Sequence, residues 1–332
     1  DKAGLWTDSR YFLQASTQLE GTGIELFKMM LPETPTIPEF LTHELKEGQT
    51  VGLNGETYSL ADARSLEKAL AEKEIKLNTN ASLIDPIWKE RPAIPEAPMF
   101  EMPIELSGKS TEDKLIDINK MLHKAGADCT ILSALDEVAW TFNIRGTDVA
   151  YNPVVISYAF VSEKESVLFV NPKKIPAEIA EHLKKEGVTL ADYGMLATFL
   201  SRLPEQTRVF IDSKRTNVAI YNALPKSSIL IEGTSPANHL KSIKNETEIK
   251  GFRNAVLKDG IAMTRELRAD MTTSHGQLCQ HIQLRSSRSG RTLFSHTRNG
   301  HGVENGQFVP ARLRSPVFGR NDRHHPYDRP LR

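Results

Sequence analysis

The sequence predicts an α/β protein in which a mixed sheet is flanked by helices. Strand-like and helix-like patterns alternate between residues 111 and 231, and this order is typical of layered α/β domains. Several predicted helices also carry recognisable start and stop residues, which support their placement independently of hydrophobicity. The composition, 39% hydrophobic and 25% charged residues, is that of an ordinary globular protein.

The amino-terminal part predicts a strand, a helix and a proline-rich connection. Residues 6–14 have the pattern of a strand. Residues 60–73 predict a helix, since apolar side chains recur at helical spacing at Leu60, Ala63, Leu66 and Leu70. Five prolines within residues 85–103 exclude a helix or a central strand. This segment therefore predicts a crossing between two domains, with the boundary near Glu105.

The central part begins with a helix that has both of its end signals. Residues 111–125 place apolar side chains at helical spacing, Ser110 can cap the start, and Gly126 can supply a left-handed stop. Residues 127–132 then predict a buried strand. A hairpin is predicted where β-branched and aromatic residues at 154–161 and 167–170 flank the polar residues 162–166.

The remaining central elements are a second capped helix and two strands. Pro176 opens the helix at its favoured first turn, Ile179 and Leu183 point inward, and Gly187 ends it. Residues 208–211 and 228–231 predict strands.

A second boundary is predicted near Ser235 and Pro236. The helix that follows starts with a capping box formed by Asn245 and Glu248. Its apolar positions fall on one face, at Ile249, Phe252, Val256 and Met263.

The composition of the chain changes abruptly after Met263. Residues 1–263 contain 22 Lys and eight Arg against 37 acidic residues, whereas residues 264–332 contain 12 Arg, no Lys and five acidic residues. Six of the ten His also lie in this last part. Such a tail can bind nucleic acid through its Arg side chains, or it can be a coding region translated in the wrong frame. It lacks regularly interleaved aromatic residues, which disfavours the nucleic-acid interpretation.

The genetic code tests the second interpretation. Residues 291–300 can be written in codons that, when read one base later, give V-H-Y-S-A-T-P-E-T. Residues 311–329 can likewise give L-D-S-G-A-Q-Y-L-D-G-T-T-D-I-T-R-T-I. These strings resemble the metal-binding core of Xaa-Pro aminopeptidase (aminopeptidase P), a pita-bread metallopeptidase. In this chain Thr292 and Leu293 stand where His-Tyr would be encoded, and His324 and His325 fall within the encoded Asp-Ile-Thr.

The in-frame sequence is similar to the same family in three motifs. These are Leu-Trp-Thr-Asp-Ser-Arg-Tyr-Phe at residues 5–12, Trp-Thr-Phe-Asn-Ile-Arg-Gly-Thr-Asp-Val at 140–149 followed by Tyr-Asn-Pro-Val at 151–154, and Asn-His-Leu-Lys-Ser-Ile-Lys-Asn-Glu-Thr-Glu-Ile at 238–249. Their order and spacing together are more specific than any one of them.

The resemblance implies that the chain consists of four segments. Residues 1–104 are expected to be the remnant of a first creatinase-like domain with its proline-rich linker, and residues 105–236 a second creatinase-like domain. Residues 237–263 would be the entry helix of the catalytic pita-bread domain, which is not intact. Residues 264–332 would be an out-of-frame basic tail without a native fold, and the first domain is expected to be truncated at its start.

The resemblance also implies an activity that this chain is expected to lack. The intact family uses two Mn ions to release the amino-terminal residue that precedes proline. Its partners are therefore peptides with proline in the second position, and the resemblance also allows a homodimer. In this chain no cofactor and no metal-ligating residue are expected. The alternative is a non-catalytic binding or dimerisation module built from creatinase-like domains.

The candidate site residues in the in-frame region are Arg145, Asp148, Tyr151 and Asn152. Polar residues that precede a strand and are joined by a glycine often form a loop that faces a partner or a site, and the resemblance places this loop near the substrate or the dimer partner. The structural interpretation is an Arg145–Asp148 pair that pins a turn. The aromatic side chains of Trp6, Tyr11, Trp140 and Phe142 are assigned to the core, and Asp8 with Arg10 to an ion pair or a turn cap.

Other features argue against further functional classes. The candidate zinc ligands of the tail lack the usual spacing of such ligands; they are Cys279, His281, His296, His301, His324 and His325. No apolar run approaches the ~18 to 20 residues of a membrane span. Two Cys residues are too few for a disulfide framework, which favours a reducing, cytoplasmic location.

Overall fold

The computed structural model describes residues 2–272, with side chains described through Arg265. The chain divides into two compact units. The first contains the described residues up to 93 together with 196–207 and 211–233, and the second contains 94–195, 208–210 and the described residues from 234 onward. The predictions for residues 273–332, which form most of the expected basic tail, lie outside the described residues. Residues 264–272, which were expected to belong to the same unfolded tail, are part of a helix.

The first unit begins with small parallel strand pairs and short helices. Its first seven elements are β1 (Ala3–Thr7), α1 (Phe12–Gln18), β2 (Ile24–Lys28), α2 (Ile37–Glu44), β3 (Thr50–Gly52), α3 (Leu60–Ala71) and β4 (Lys76–Asn78). The strand predicted at residues 6–14 was wrong in its extent, because the chain turns at Asp8 and continues as α1. The Asp8 carboxylate accepts from the backbone and the guanidinium of Arg10, as the predicted ion pair required, and this turn ends the strand.

The prediction for α3 is confirmed, and so is the irregular proline-rich segment. All four apolar positions predicted to face inward on α3 are buried, and Ser59 caps its start by accepting from the backbone N–H of Asp62 at 3.1 Å. Between β4 and residue 99 the chain forms no regular helix or strand.

The second unit is built around a mixed sheet. Residues 94–195 form β5 (Phe100–Glu101), α4 (Ile104–Ser107), α5 (Thr111–Ala125), β6 (Cys129–Leu132), α6 (Leu135–Thr141), β7 (Ile144–Arg145), β8 (Ser157–Ser162), β9 (Ser166–Val170), α7 (Ala177–Lys185) and β10 (Val188–Ala191). The rest of the described chain contains α8 (Leu196–Leu200), β11 (Arg208–Ile211), α9 (Val218–Ala223), β12 (Ile229–Glu232), α10 (Pro236–Ser242) and α11 (Glu246–Thr272).

The sheet confirms the predicted mixture of strand directions. Within the second unit its strand order is β10-β9-β8-β6-β11. The predicted hairpin is the antiparallel pair β8 and β9, which aligns Ser157 with Val170. β6 is antiparallel to β8, whereas β11 pairs with β6 in parallel. β9 is buried along its whole length, so it lies at the centre of the hydrophobic core.

The predicted end signals of the helices are present. The Ser110 side chain accepts from the backbone N–H of Asp113 at 3.1 Å. Gly126 and Gly187 have φ values of 72° and 78°, a conformation that strains residues with a side chain. Asn245 and Glu248 form the predicted capping box, with reciprocal hydrogen bonds of 2.8 and 3.0 Å.

The assignments of aromatic side chains to the core are mixed. Phe142 is 1% exposed, and Trp6 is half-buried where it stacks on Phe27 at 4.0 Å between ring centroids. Trp140 is also half-buried. The assignment of Tyr11 to the core was wrong, since this side chain is 40% exposed at the solvent-facing start of α1.

Candidate functional site

The candidate residues lie at the end of β7 and on the loop that connects β7 to β8. β7 pairs with β5 in antiparallel register, which aligns Arg145 with Phe100. Gly146 allows the loop to fold back on itself, because a Cβ at this position would lie 2.8 Å from Val155 Cγ2 and 3.2 Å from the Val154 oxygen. Within the loop, Val149 and Asn152 form an isolated antiparallel β-bridge, which holds the two sides of its tip together.

Arg145 is held at the start of the loop by two backbone carbonyls. Its Nη1 donates to the carbonyl oxygens of Ala139 at 2.6 Å and Ile144 at 2.8 Å. Burial lowers the pKa of Arg145, and the negative charge of Glu248 partly opposes this effect. An arginine side chain keeps its proton in proteins, so the loop begins with a fixed positive charge.

Asp148 forms a buried ion pair with a lysine from another segment. Its Oδ2 accepts from Lys174 Nζ and from the backbone N–H of Ile156 at 2.7 Å. Both charged side chains are fully buried. Lys174 is itself anchored, since its carbonyl accepts from the N–H of Met99 at 2.9 Å. The pair therefore fixes both sides of the loop to the interior of the second unit.

Tyr151 and Asn152 form the exposed tip of this loop. Tyr151 is 43% exposed and has a φ of 63°, which is uncommon for a residue with a bulky side chain. Asn152 is exposed, and its backbone N–H donates to the Val149 oxygen at 3.1 Å. The loop thus presents an aromatic side chain and an amide from a constrained backbone.

The structure places the four candidate residues within one short segment, from the end of β7 into the loop that follows, but does not link them directly. Among the described residues, no hydrogen bond or ion pair joins any two of them. The predicted Arg145–Asp148 pair was wrong, because Asp148 pairs with Lys174 and Arg145 bonds to backbone carbonyls. The turn is still pinned by Asp148, although by a partner that is distant in sequence.

A buried lysine beside this loop was missed in the sequence. Lys114 is 1% exposed, and its Nζ donates to the carbonyl of Trp140 at 2.7 Å and to Asn143 Oδ1 at 2.5 Å. Burial lowers its pKa to about 7; the positive charge of Arg145 adds to this effect, and the negative charge of Glu248 opposes it. Its helical spacing from Ile118 and Leu122 places it on the buried face of α5. This spacing was the sequence signal that could have predicted its burial.

Trp140 connects this lysine to the start of α11. Its indole Nε1 donates to Glu248 Oε1 at 3.1 Å, and Glu248 Oε2 accepts from the backbone N–H of Asn245. Asn245 Nδ2 donates to the Ser107 carbonyl at 2.8 Å. The first turn of α11 is therefore tied to α4 and α6 by polar contacts within the second unit.

Two kinds of feature are absent from the described residues. No group of three or more His, Cys, Asp or Glu side chains is arranged to hold a metal ion in that part of the chain. None of the helices between residues 2 and 272 is sufficiently long and apolar to span a membrane.

Comparison with known proteins gives a consistent relationship. Residues 90–248 match the Creatinase/Prolidase N-terminal domain family. The chain is 38% identical over 275 residues to the probable Xaa-Pro aminopeptidase P of Leptosphaeria maculans, covering 80% of this chain and 45% of that protein. It is 35% identical over 306 residues to the corresponding protein of Laccaria bicolor, covering 89% and 47%.

A solved structure has a similar fold. The X-prolyl aminopeptidase of Caenorhabditis elegans, described as a cytosolic enzyme with a di-nuclear active site, superposes with a TM-score of 0.74 at 28% identity. The match covers 80% of this chain and 44% of that one. The chain therefore spans less than half the length of the relatives it matches.

The mixed sheet, its helices and the loop between β7 and β8 define an α/β protein with a creatinase/prolidase amino-terminal domain. Among proteins with such a domain, those that are 35–38% identical to this chain are probable Xaa-Pro aminopeptidases P. The chain belongs to the Xaa-Pro aminopeptidase family.

Proposed function

We propose that the parent of this chain is a manganese-dependent Xaa-Pro aminopeptidase, which releases an amino-terminal residue that precedes proline. The observation that carries the proposal is the similarity to Xaa-Pro aminopeptidases P over 80% of the chain. Its substrates would be peptides with proline in the second position, and its location would be the cytoplasm.

The loop that contains Arg145, Asp148, Tyr151 and Asn152 would contribute to substrate binding or to a homodimer contact. Two features support this role. Its tip is exposed at Tyr151, and its base is fixed by the buried Asp148–Lys174 pair. A recognition loop benefits from such rigidity, since less conformational entropy is lost on binding.

The described residues do not fit the manganese pair of the intact family. Two Mn ions require several carboxylates and a His that converge on one point, and residues 2–265 contain no such group. No catalytic step through a metal therefore follows for this part of the chain.

We further propose that this chain is itself inactive. After Met263 the acidic residues are only Glu266, Asp270, Glu304, Asp322 and Asp328, which are scattered in sequence. A shifted reading frame would explain their scatter, because residues 311–329, read one base later, can encode the Asp residues that bind metal in the family. A frame change after about Met263 would remove all of those ligands from the protein.

The second candidate function is a non-catalytic binding or dimerisation module. It is favoured by the rigid loop and by the lack of a metal-binding group within residues 2–265. Capture of a partner without hydrolysis would support the module, whereas hydrolysis that depends on added Mn would support the enzyme.

Two experiments test the proposed parent function. Sequencing of the underlying DNA should show codons for the family's metal ligands one base away from the translated frame. A protein expressed with the frame and the downstream sequence restored should cleave peptides with proline in the second position when Mn is added. Failure of the restored, folded protein to cleave them would contradict the assignment of the parent.

A further inference from the structure

The guanidinium of Arg145 has one occupied edge and one free edge. Nη1 is occupied by the carbonyls of Ala139 and Ile144. Nε and Nη2 make no hydrogen bond among the described residues, and neither belongs to the enclosed side-chain atoms that lack a partner. Neither nitrogen is therefore fully enclosed. The two carbonyls fix the plane of the group while its outer edge stays available.

The charges around this edge are not balanced by a bonded carboxylate. Lys114 is a second buried basic group, and within the described chain neither it nor Arg145 forms an ion pair. Lys114 donates to neutral oxygens of Trp140 and Asn143. The carboxylate of Glu248 acts on both groups, but each of its oxygens already accepts a hydrogen bond, one from Trp140 and one from Asn245.

These two observations point to an anion of defined shape. The Nε–Nη2 edge of a guanidinium offers two parallel N–H groups, which match the two oxygens of a carboxylate. A phosphate dianion would need more donors and more positive charge than this edge provides. A largely buried arginine whose orientation is already fixed loses little freedom when such a partner binds.

We propose that Arg145 binds a carboxylate group of a peptide through Nε and Nη2. The inference rests on the proposed function for the peptide nature of the ligand. A chain-terminal carboxylate and an acidic side chain have the same chemistry, so the experiment must distinguish these two sources.

The first experiment measures binding to the full chain by calorimetry and follows the Nε–Hε signal of Arg145 by NMR. The probe is Ala-Pro-Ala with a free carboxyl terminus, compared with its carboxyl-terminal amide. We expect the free acid to bind about tenfold more tightly or better, the usual size of a charge-assisted pair, and to shift the Arg145 signal saturably. Equal affinity of acid and amide, or no binding of the acid, would overturn the proposal.

An additional peptide identifies the source of the carboxylate. Ala-Pro-Glu-amide carries only a side-chain carboxylate. If it binds as tightly as the free acid and shifts the same Arg145 signal, the site accepts acidic side chains. If it binds only as weakly as the neutral amide, the site selects a chain terminus. Both results support the carboxylate site and assign its ligand.

Substitutions separate recognition from folding. Arg145→Lys keeps a positive charge but lacks the planar edge, so we expect the free acid to bind about tenfold more weakly. Arg145→Gln removes the charge and should abolish the preference for acid over amide. Because this change also alters the bonds to Ala139 and Ile144, the lysine variant is decisive if the glutamine variant does not fold. Arg202→Gln, at an exposed position, is the matched control and should bind like the original chain. Unchanged affinity in Arg145→Lys would overturn the proposal.

The outcome is independent of peptidase activity, since only binding is measured. Ala-Ala-Ala with a free carboxyl terminus separates the carboxylate site from the preference for proline. If it binds as well as Ala-Pro-Ala, the carboxylate site stands, while the preference for proline expected from the proposed function fails at this site.

Discussion

The ammonium group of Lys114 lies 4.7 Å from the ring centroid of Trp140 and donates to the carbonyl oxygen of the same residue at 2.7 Å. The tryptophan thus contacts the lysine through its ring and its backbone, while its indole N–H reaches Glu248 on α11. These contacts connect α5, which carries Lys114, to α6, which carries Trp140, and α6 to α11.

The buried lysine should make stability depend on pH above neutrality. Its pKa is about 7 in the folded chain and near 10.5 when unfolded, so the unfolded state binds more protons between these values. The free energy of unfolding should therefore rise with pH across this window, by at most about 1.4 kcal/mol per pH unit from this group. Chemical denaturation at pH 7, 8 and 9 measures the effect.

Substitution isolates this contribution. The stability of the original chain minus that of Lys114→Met should increase from pH 7 to pH 9. Lys120→Met is the control on the same helix, since Lys120 has a 71% exposed side chain, and its difference should stay flat. A flat difference for Lys114→Met would show that the lysine keeps an ordinary pKa.

The Asp148–Lys174 pair should be far more important to stability than its exposed neighbour. Lys174→Met leaves the Asp148 charge buried without its partner, which costs about 3 to 5 kcal/mol in comparable buried pairs. Lys173→Met removes an exposed pair with Glu96, whose lysine side chain is 71% exposed, and should cost less than about 1 kcal/mol. Denaturant unfolding of both variants tests this, and similar losses would contradict the buried-pair account.

Substitution of glycine by alanine should have opposite effects on stability at two positions of the second unit. Gly146→Ala should destabilise the chain, since the new Cβ would meet Val155 Cγ2 at 2.8 Å and the backbone at 3.2 Å. Gly251→Ala, within α11, meets nothing within 4 Å and should stabilise it by up to about 1 kcal/mol. A tolerated Gly146→Ala would mean that the loop is less tightly closed than these distances indicate.

The anchoring of α11 should depend on Asn245. Asn245→Ala removes the cap and the bond to Ser107, and a lost cap alone costs about 1 kcal/mol. Hydrogen exchange should accelerate in the first turn of α11. Asn254→Ala, at an exposed position further along the helix, should leave that turn unchanged, and equal acceleration in both variants would argue against the capping box as the anchor.

Local signals in the sequence were enough to predict much of the fold. The Ser110 cap, the Gly126 stop and the Asn245–Glu248 box act within a few residues, so their outcome depends little on the rest of the chain. The hairpin of β8 and β9 was equally local. Distant contacts explain the errors: Asp148 is paired by Lys174, and nothing in the sequence distinguishes Lys174 from the exposed Lys173. The turn at Asp8 was underestimated because the apolar pattern continued through it.

The direct test of the central claim is a peptidase assay of the chain as it exists. The purified chain is incubated with excess Mn and a peptide that has proline in its second position, beside the protein with the restored frame. We expect no turnover from the chain and clear turnover from the restored protein, because only the latter would carry the carboxylates and the His that hold the metal pair. Turnover that copurifies with the chain and is abolished by a chelator would contradict the account.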